Sequence, residues 1–278
     1  MRWFLAFLFI AAMTALLPLN ANAGLYEEKG HVIERVDNGE VNWTANTVRA
    51  LGRGAPSPRA KSPASARLTA KRAAKVDALR NLLEAVGGVR IDSETTVSSA
   101  SASSDVIKTR IKGVVKAAIV VEVRELPDGS AEVVLEAPIS GILAETVYGG
   151  MPDIGAAVLE RPKKEAVNTG LIVDAKGIGA RPAMSPKIVD EHGAEVYGSR
   201  FVNKEFAVKQ GIAGFEKDLD VAKESERVRA NPILIKAIRT SGKRGSEIVI
   251  RNEDSKGLRD SSRNLSFLEE TKVIIVVD

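Results

Sequence analysis

The sequence predicts an α+β fold: a long helix packed on an antiparallel sheet, followed by a second sheet-plus-helix domain. Three observations predict it. Residues from about Ser65 to Gly88 carry apolar side chains at helical spacing without interruption. β-type runs meet at the turn-forming clusters Asp37-Asn38-Gly39 and Pro127-Asp128-Gly129. The C-terminal part closes on a strand, a helix and a buried-looking strand, KVIIVVD.

In chain order, Arg2 followed by WFLAFLFIAAMTALL, Pro18 and the small-residue triplet Ala21-Asn22-Ala23 has the pattern of a signal peptide. Cleavage is expected between Ala23 and Gly24. The apolar run is shorter than the roughly 20 residues a membrane-spanning helix needs. With no cysteine at the junction, a lipid anchor is not expected. The predicted organisation is residues 1–23 as signal peptide, 24–149 as a first α+β domain, 150–166 as linker and 167–278 as a second α/β domain.

In the first domain, GHVIERV and EVNWTANTVRALGRG read as a hairpin, with Val41, Trp43, Ala45 and Thr47 sharing one face. Trp43 is expected in the core or in a cross-strand pair. GRGAPSPRAKSP is a surface connection. On the long helix, Leu68, Val76, Leu79, Leu83 and Val86 form one stripe, widened by Ala74, Ala78 and Leu82, and are expected to be the buried face. The alanines permit close approach to a sheet. Lys71, Arg72, Lys75, Arg80 and Glu84 lie largely opposite and read as a solvated face. Gly87 is the expected stop. Beyond it, VRIDSETTV alternates as a strand, SSASASSD is a polar loop ending in an N-cap at Ser104 or Asp105, and VIKTRIKGVV is a short amphipathic helix. AAIVVEVREL and SAEVVLEAPI form the second hairpin, and SGILAETVYGG closes the domain as a helix.

The segments WTANTVRALGRGAP, ARLTAKRAAKVDALRNLLEAVGGVRIDSETTV, SDVIKTRIKGVVKAAIV and LPDGSAEVVLEAPI together resemble the Lpp-twenty-type outer-membrane lipoprotein family. They are also similar to the related N-terminal domain of flagellar assembly protein T, a component of the periplasmic H ring around the flagellar basal body. The resemblance covers about residues 40 to 145 and is most specific in RAAKVDALRNLLEAVGGV. It implies an envelope-associated, non-catalytic domain. The lipidated cysteine of the lipoprotein members is absent here, so lipid anchoring does not carry over, and no family ligand residue can be transferred.

In the second domain, TGLIVDAKG is a buried strand and KIVDEHGAEVYG a hairpin around His192-Gly193. ILIKAIRT, SEIVIRN and KVIIVVD are further strands, with a helix between the last two, capped at Asn252. Gly177-Ile178-Gly179 follows a strand, but the third glycine of a dinucleotide loop is missing and Pro182 and Pro186 stand where its helix should begin.

The chemistry available is narrow. The chain has 2 histidines, His31 and His192, and 0 cysteines, which removes structural Cys/His zinc sites, cysteine nucleophiles and disulfides. No Gly-x-Ser-x-Gly elbow or Ser-x-x-Lys motif surrounds a serine. Asp190-Glu191 is the best carboxylate pair, but adjacent strand residues point to opposite faces, which makes it a turn-flanking pair. No catalytic residue, cofactor or metal site is predicted. The 40 Lys+Arg against 36 Asp+Glu, with aromatics at 4%, point away from nucleic-acid binding and leave room only for weak attraction to anionic surfaces. The expected role is that of a periplasmic, outer-membrane-associated structural or assembly protein with envelope or basal-body partners. The alternative is a periplasmic ligand-binding or adhesion module using the second domain.

Overall fold

The computed structural model describes residues 28–149, 168–260 and 266–278. The predicted signal peptide with its Ala23–Gly24 junction, and the predicted linker 150–166, lie outside the described residues.

The first module is a five-stranded antiparallel sheet with helices on one face. Strands β1 (Ile33–Val36), β2 (Gly39–Asn42), β3 (Thr47–Gly54), β4 (Ile119–Glu125) and β5 (Ala131–Pro138) are ordered β1-β2-β3-β5-β4. Helix α1 (Pro63–Gly88) lies across β3 and β5. It starts where Ser62 accepts the Ser65 N–H and Pro63 takes the first turn, where a missing N–H costs nothing. Helices α2 (Val97–Ala102), α3 (Asp105–Lys116) and α4 (Ile142–Tyr148) complete the layer.

The seating of α1 is decided by glycine. A Cβ on Gly52 would lie 2.0 Å from the Ala78 nitrogen, and one on Gly54 would lie 2.3 Å from the Ala70 oxygen. The helix backbone therefore rests directly on β3, and only small residues fit between. Ala70, Ala74 and Ala78, four residues apart, are fully buried there, joined by Leu82, Ala85 and Val86. Ala74, Ala78, Leu82 and Val86 are buried as expected, but the rest of the expected stripe is not. Leu68, Val76 and Leu83 are 56%, 60% and 41% exposed, and Leu79 only edges against the core. Hydrophobicity favoured Leu68 and Leu83, but contact this close leaves room only for alanine where the helix crosses Gly52 and Gly54. The helix ends at Gly87-Gly88 as expected, and a Cβ on Gly88 would strike Val36 at 2.0 Å.

Three further expectations change. The predicted strand 89–97 is a loop with one bridge, Arg90 to Thr96, because Asp92 Oδ1 accepts the N–H groups of Glu94 and Thr95 and turns the chain. The predicted Ser/Ala loop contains α2, nucleated by a reciprocal capping box between Thr96 and Ser99. The run from Glu40 to Gly54 is two strands rather than one, broken at Trp43–Asn46 with Asn46 at φ 55°. Ser104 caps α3, and all three predicted hairpins form, the third around His192-Gly193.

The second module has a parallel sheet, β10-β6-β13-β9, made of β6 (Gly170–Asp174), β9 (Gly214–Glu216), β10 (Pro232–Lys236) and β13 (Val273–Val276). Leu171–Val173 and all of β13 are buried, as expected for strands covered on both faces. A mixed sheet, β11-β12-β7-β8, joins β7 (Lys187–Val189), β8 (Glu195–Tyr197), β11 (Arg239–Ser241) and β12 (Glu247–Val249). The run ILIKAIRT is thus split between two sheets. Helices α5 (Lys204–Gln210), α6 (Leu219–Glu224), α7 (Asn252–Asp260) and α8 (Ser266–Glu269) connect the strands. The Arg227 guanidinium donates to the carbonyls of Gln210, Gly211 and Thr271 at 2.8–2.9 Å, satisfying the C-terminal end of α5 and tying it to the approach to β13.

The two modules share one apolar core. Trp43 is buried, its ring edge-on to Phe215 with centroids 5.8 Å apart. Arg90 forks onto Glu34 and donates to the Pro182 carbonyl at 2.9 Å. Met184 and Ser185 donate backbone N–H groups to the carbonyls of Arg90 and Ile91, and the Tyr148 hydroxyl donates to Met184.

Gly52→Ala is expected to destabilise the chain by about 3 kcal/mol or more, because backbone on both sides must shift. Leu83→Ala, at an exposed site, should cost no more than about 0.5 kcal/mol. Denaturant titration of the two variants checks the order, and equal losses would show that α1 is seated through its leucines.

Candidate interaction surfaces

Strand β4 forms the outer edge of the first sheet. It pairs with β5 on one side and with no described strand on the other. Ile119, Val120, Val121 and Val123 are 60%, 43%, 40% and 47% exposed, and the register shifts between Val120 and Glu122. Edge strands usually carry charge to prevent pairing. Here Glu122 and Arg124 interrupt an otherwise apolar row and bind each other at 3.2 Å. At the end of the strand, Lys71 on α1 lies 2.7 Å from Glu125 and holds its carboxyl below the usual range.

A second surface is an open groove of about 740 Å³ between α1, α2, α3 and the β1–β2 turn. Leu83 and Ile111 supply apolar lining, and Lys108, Lys112, Asp37 and Glu84 supply charges of both signs. Glu84 is engaged by the Asn38 amide at 2.7 Å. The balanced rim gives the groove no net preference for ligand charge.

A third is the carboxyl edge of the parallel sheet. Lys236 Nζ lies 2.8 Å from Asp174, and the Gly177 N–H donates to the Asp278 carboxylate at 3.0 Å. Burial pushes the Asp174 carboxyl up, but the Lys236 hydrogen bond and charge outweigh it and leave the group below its ordinary value. The Gly177-Ile178-Gly179 loop leads on to β7 without the helix a dinucleotide site requires.

The residues singled out from sequence fall apart in space. His31 Nδ1 lies 2.6 Å from Glu28, whose carboxyl is held low chiefly by the Arg49 hydrogen bond. His192 belongs to the β7–β8 turn, where its Nε2 meets the Asn252 amide at 3.1 Å. Asp190 accepts the N–H groups of His192 and Ala194, and Glu191 exchanges hydrogen bonds with Asn252 at the start of α7. The carboxylate pair thus closes a turn and caps a helix. Trp43, expected in the core or in a cross-strand pair, is buried in the core, where it packs edge-on to Phe215 of the second module. Sequence reasoning overlooked β4 as an unpartnered edge; its signal was an apolar run, AAIVVEV, with no second strand left to pair with it.

Among the described residues no helix is long and apolar enough to cross a membrane. Residues 170–278, beginning with β6, match the family model described as the second domain of Treponema pallidum Tp0624. The second module is therefore similar to that domain. No curated protein matches the chain.

Glu216, at the end of β9 and close to His31, has its carboxyl raised by burial, with the His31 charge opposing. A raised carboxyl favours folding while protonated, so its contribution is present below 4.5 and is lost as pH rises through the higher folded value. Glu216→Gln should therefore melt above the parent protein at neutral pH, with the difference vanishing below pH 4.5. Thermal melts across pH check this, and a gap that widens in acid would contradict it.

Proposed function

We propose that the chain is an exported, non-catalytic structural or assembly protein of the bacterial cell envelope, with the flagellar basal body as its setting. The observation that carries this reading is the apolar edge strand β4, exposed on a body whose two modules are joined through a common core. A rigid block with an open strand edge is suited to docking, since an added strand gains main-chain hydrogen bonds along its length. The signal-peptide pattern and the resemblance of residues 40 to 145 to envelope and H-ring domains support the compartment. The similarity of residues 170–278 to the Treponema domain adds no activity.

A second reading, ligand binding or adhesion by the second module, is favoured by the parallel sheet, because open α/β sheets bind ligands beyond the carboxyl ends of their strands. The polar groups there already bind one another, Lys236 to Asp174 and Gly177 to Asp278, so a ligand must displace them.

The expected outcome is that the mature protein begins at Gly24, is found in the periplasmic fraction and co-purifies with basal bodies, and that deleting its gene impairs motility or basal-body stability. Intact motility with altered barrier or surface adhesion would replace the flagellar setting with a broader envelope role. Turnover of an envelope substrate by the purified chain, tracking a single side chain, would overturn the reading.

A further inference from the structure

We infer that the partner of the β4 edge is a second copy of this chain, paired antiparallel about a twofold axis at Val123, so that two five-stranded sheets join into one. This rests on the assembly reading of β4, and the two fail separately: a monomeric chain that still co-purifies with basal bodies overturns the self-pairing alone.

The register follows from the strand itself. A twofold axis perpendicular to the sheet must place one residue opposite its own copy. Centring on Glu122 sets two carboxylates opposite each other, and centring on Arg124 sets two guanidinium groups opposite each other; like charges in directly opposed positions are destabilising. Centring on Val121 places the axis where the ladder shifts register, so the strand is not regular on both sides of it. Centring on Val123 pairs Glu122 with Arg124 twice and sets Val123 against itself, all within the regular part of the ladder from Glu122 to Glu125. Glu122 and Arg124 already lie on one face, 3.2 Å apart within the strand, and Arg124 also reaches Glu132 of β5 at 3.2 Å, so the dimer adds a cross-strand Glu122–Arg124 contact on each side of the axis to an existing charge cluster. The same charges that would repel a copy in the neighbouring registers attract it in this one. The regular ladder from Glu122 to Glu125 is short, so the pairing is expected to be reversible and concentration-dependent.

The chain has 0 cysteines, which makes disulfide capture clean. In V123C the two thiols face each other across the axis. In V121C they are four residues out of step, about 13 Å apart along the strand, beyond the reach of a disulfide. Mild oxidation of the purified full chain is expected to convert most of V123C to a covalent dimer and to leave V121C monomeric. Analytical ultracentrifugation should show the parent protein dimerising with concentration and Val123→Lys remaining monomeric, with the two melting at the same temperature when dilute enough for both to be monomeric, because Val123 is half exposed in the single chain. Equal linking at both positions, or a parent protein that stays monomeric at the highest attainable concentration, would overturn the inference. So would β4 amides protected from exchange equally at low and high concentration, which would mean that another part of the same chain covers the edge.

Discussion

The direct contact of α1 on β3 is the constraint on which the rest of the structure depends. With Gly52 and Gly54 beneath Ala70, Ala74 and Ala78, helix and strand backbones meet with no side chain between them. That fixes the height and slide of a 26-residue rod, and with it the place where the rod ends. The residues just past its C-terminus, Arg90 and Ile91, supply the carbonyls that receive Met184 and Ser185. A helix seated on its leucines would stand further from the sheet and deliver Arg90 elsewhere.

The junction that results is made of several kinds of contact converging on a small area. Trp43 and Phe215 contribute apolar surface, and the Trp43 indole N–H reaches Glu34 at 3.2 Å. Glu34 also receives Arg90 from the first module and Arg181, at 3.1 Å, from the second. Burying a carboxylate is costly unless its oxygens are satisfied, and here two cations and an indole do so. Two tyrosines, Tyr148 and Tyr197, are fully enclosed, their hydroxyls donating to the carbonyls of Met184 and Ile212, and burial pushes both well above the usual phenol range. They act as neutral struts. Arg227, whose own basicity is lowered by burial, balances three carbonyls nearby.

Much of the architecture was legible because local chemistry decided it. Asp37-Asn38-Gly39 and Pro127-Asp128-Gly129 force hairpins whatever surrounds them, Ser104 caps α3, and β13 is too apolar to lie anywhere but inside. What failed were choices settled by distant partners. The apolar stripe of α1 was drawn wide, from Ala74, Ala78, Leu82 and Val86, which are buried, to Leu68, Val76 and Leu83, which are not, and only the glycines of β3 centre the buried face on the alanines. The alternation of residues 89–97 looked like a strand, yet Asp92 folds it back and its carbonyls serve the other module. Trp43 read as packing, which it is, but nothing local to it announces Phe215. The edge strand β4 was visible as a strand and not as an edge, since edges are a property of sheet order.

These relations describe a block in which an exposed edge is held at a fixed position relative to a second module, a geometry useful in assembly only if the modules do not move independently. The central claim is that the shared core makes them one cooperative unit, and scanning calorimetry of the full chain tests it most directly. A single transition is expected, with calorimetric and van't Hoff enthalpies that agree, moving as a whole when Arg90→Met weakens the junction. Two separable transitions, only one of them shifted by that substitution, would contradict it.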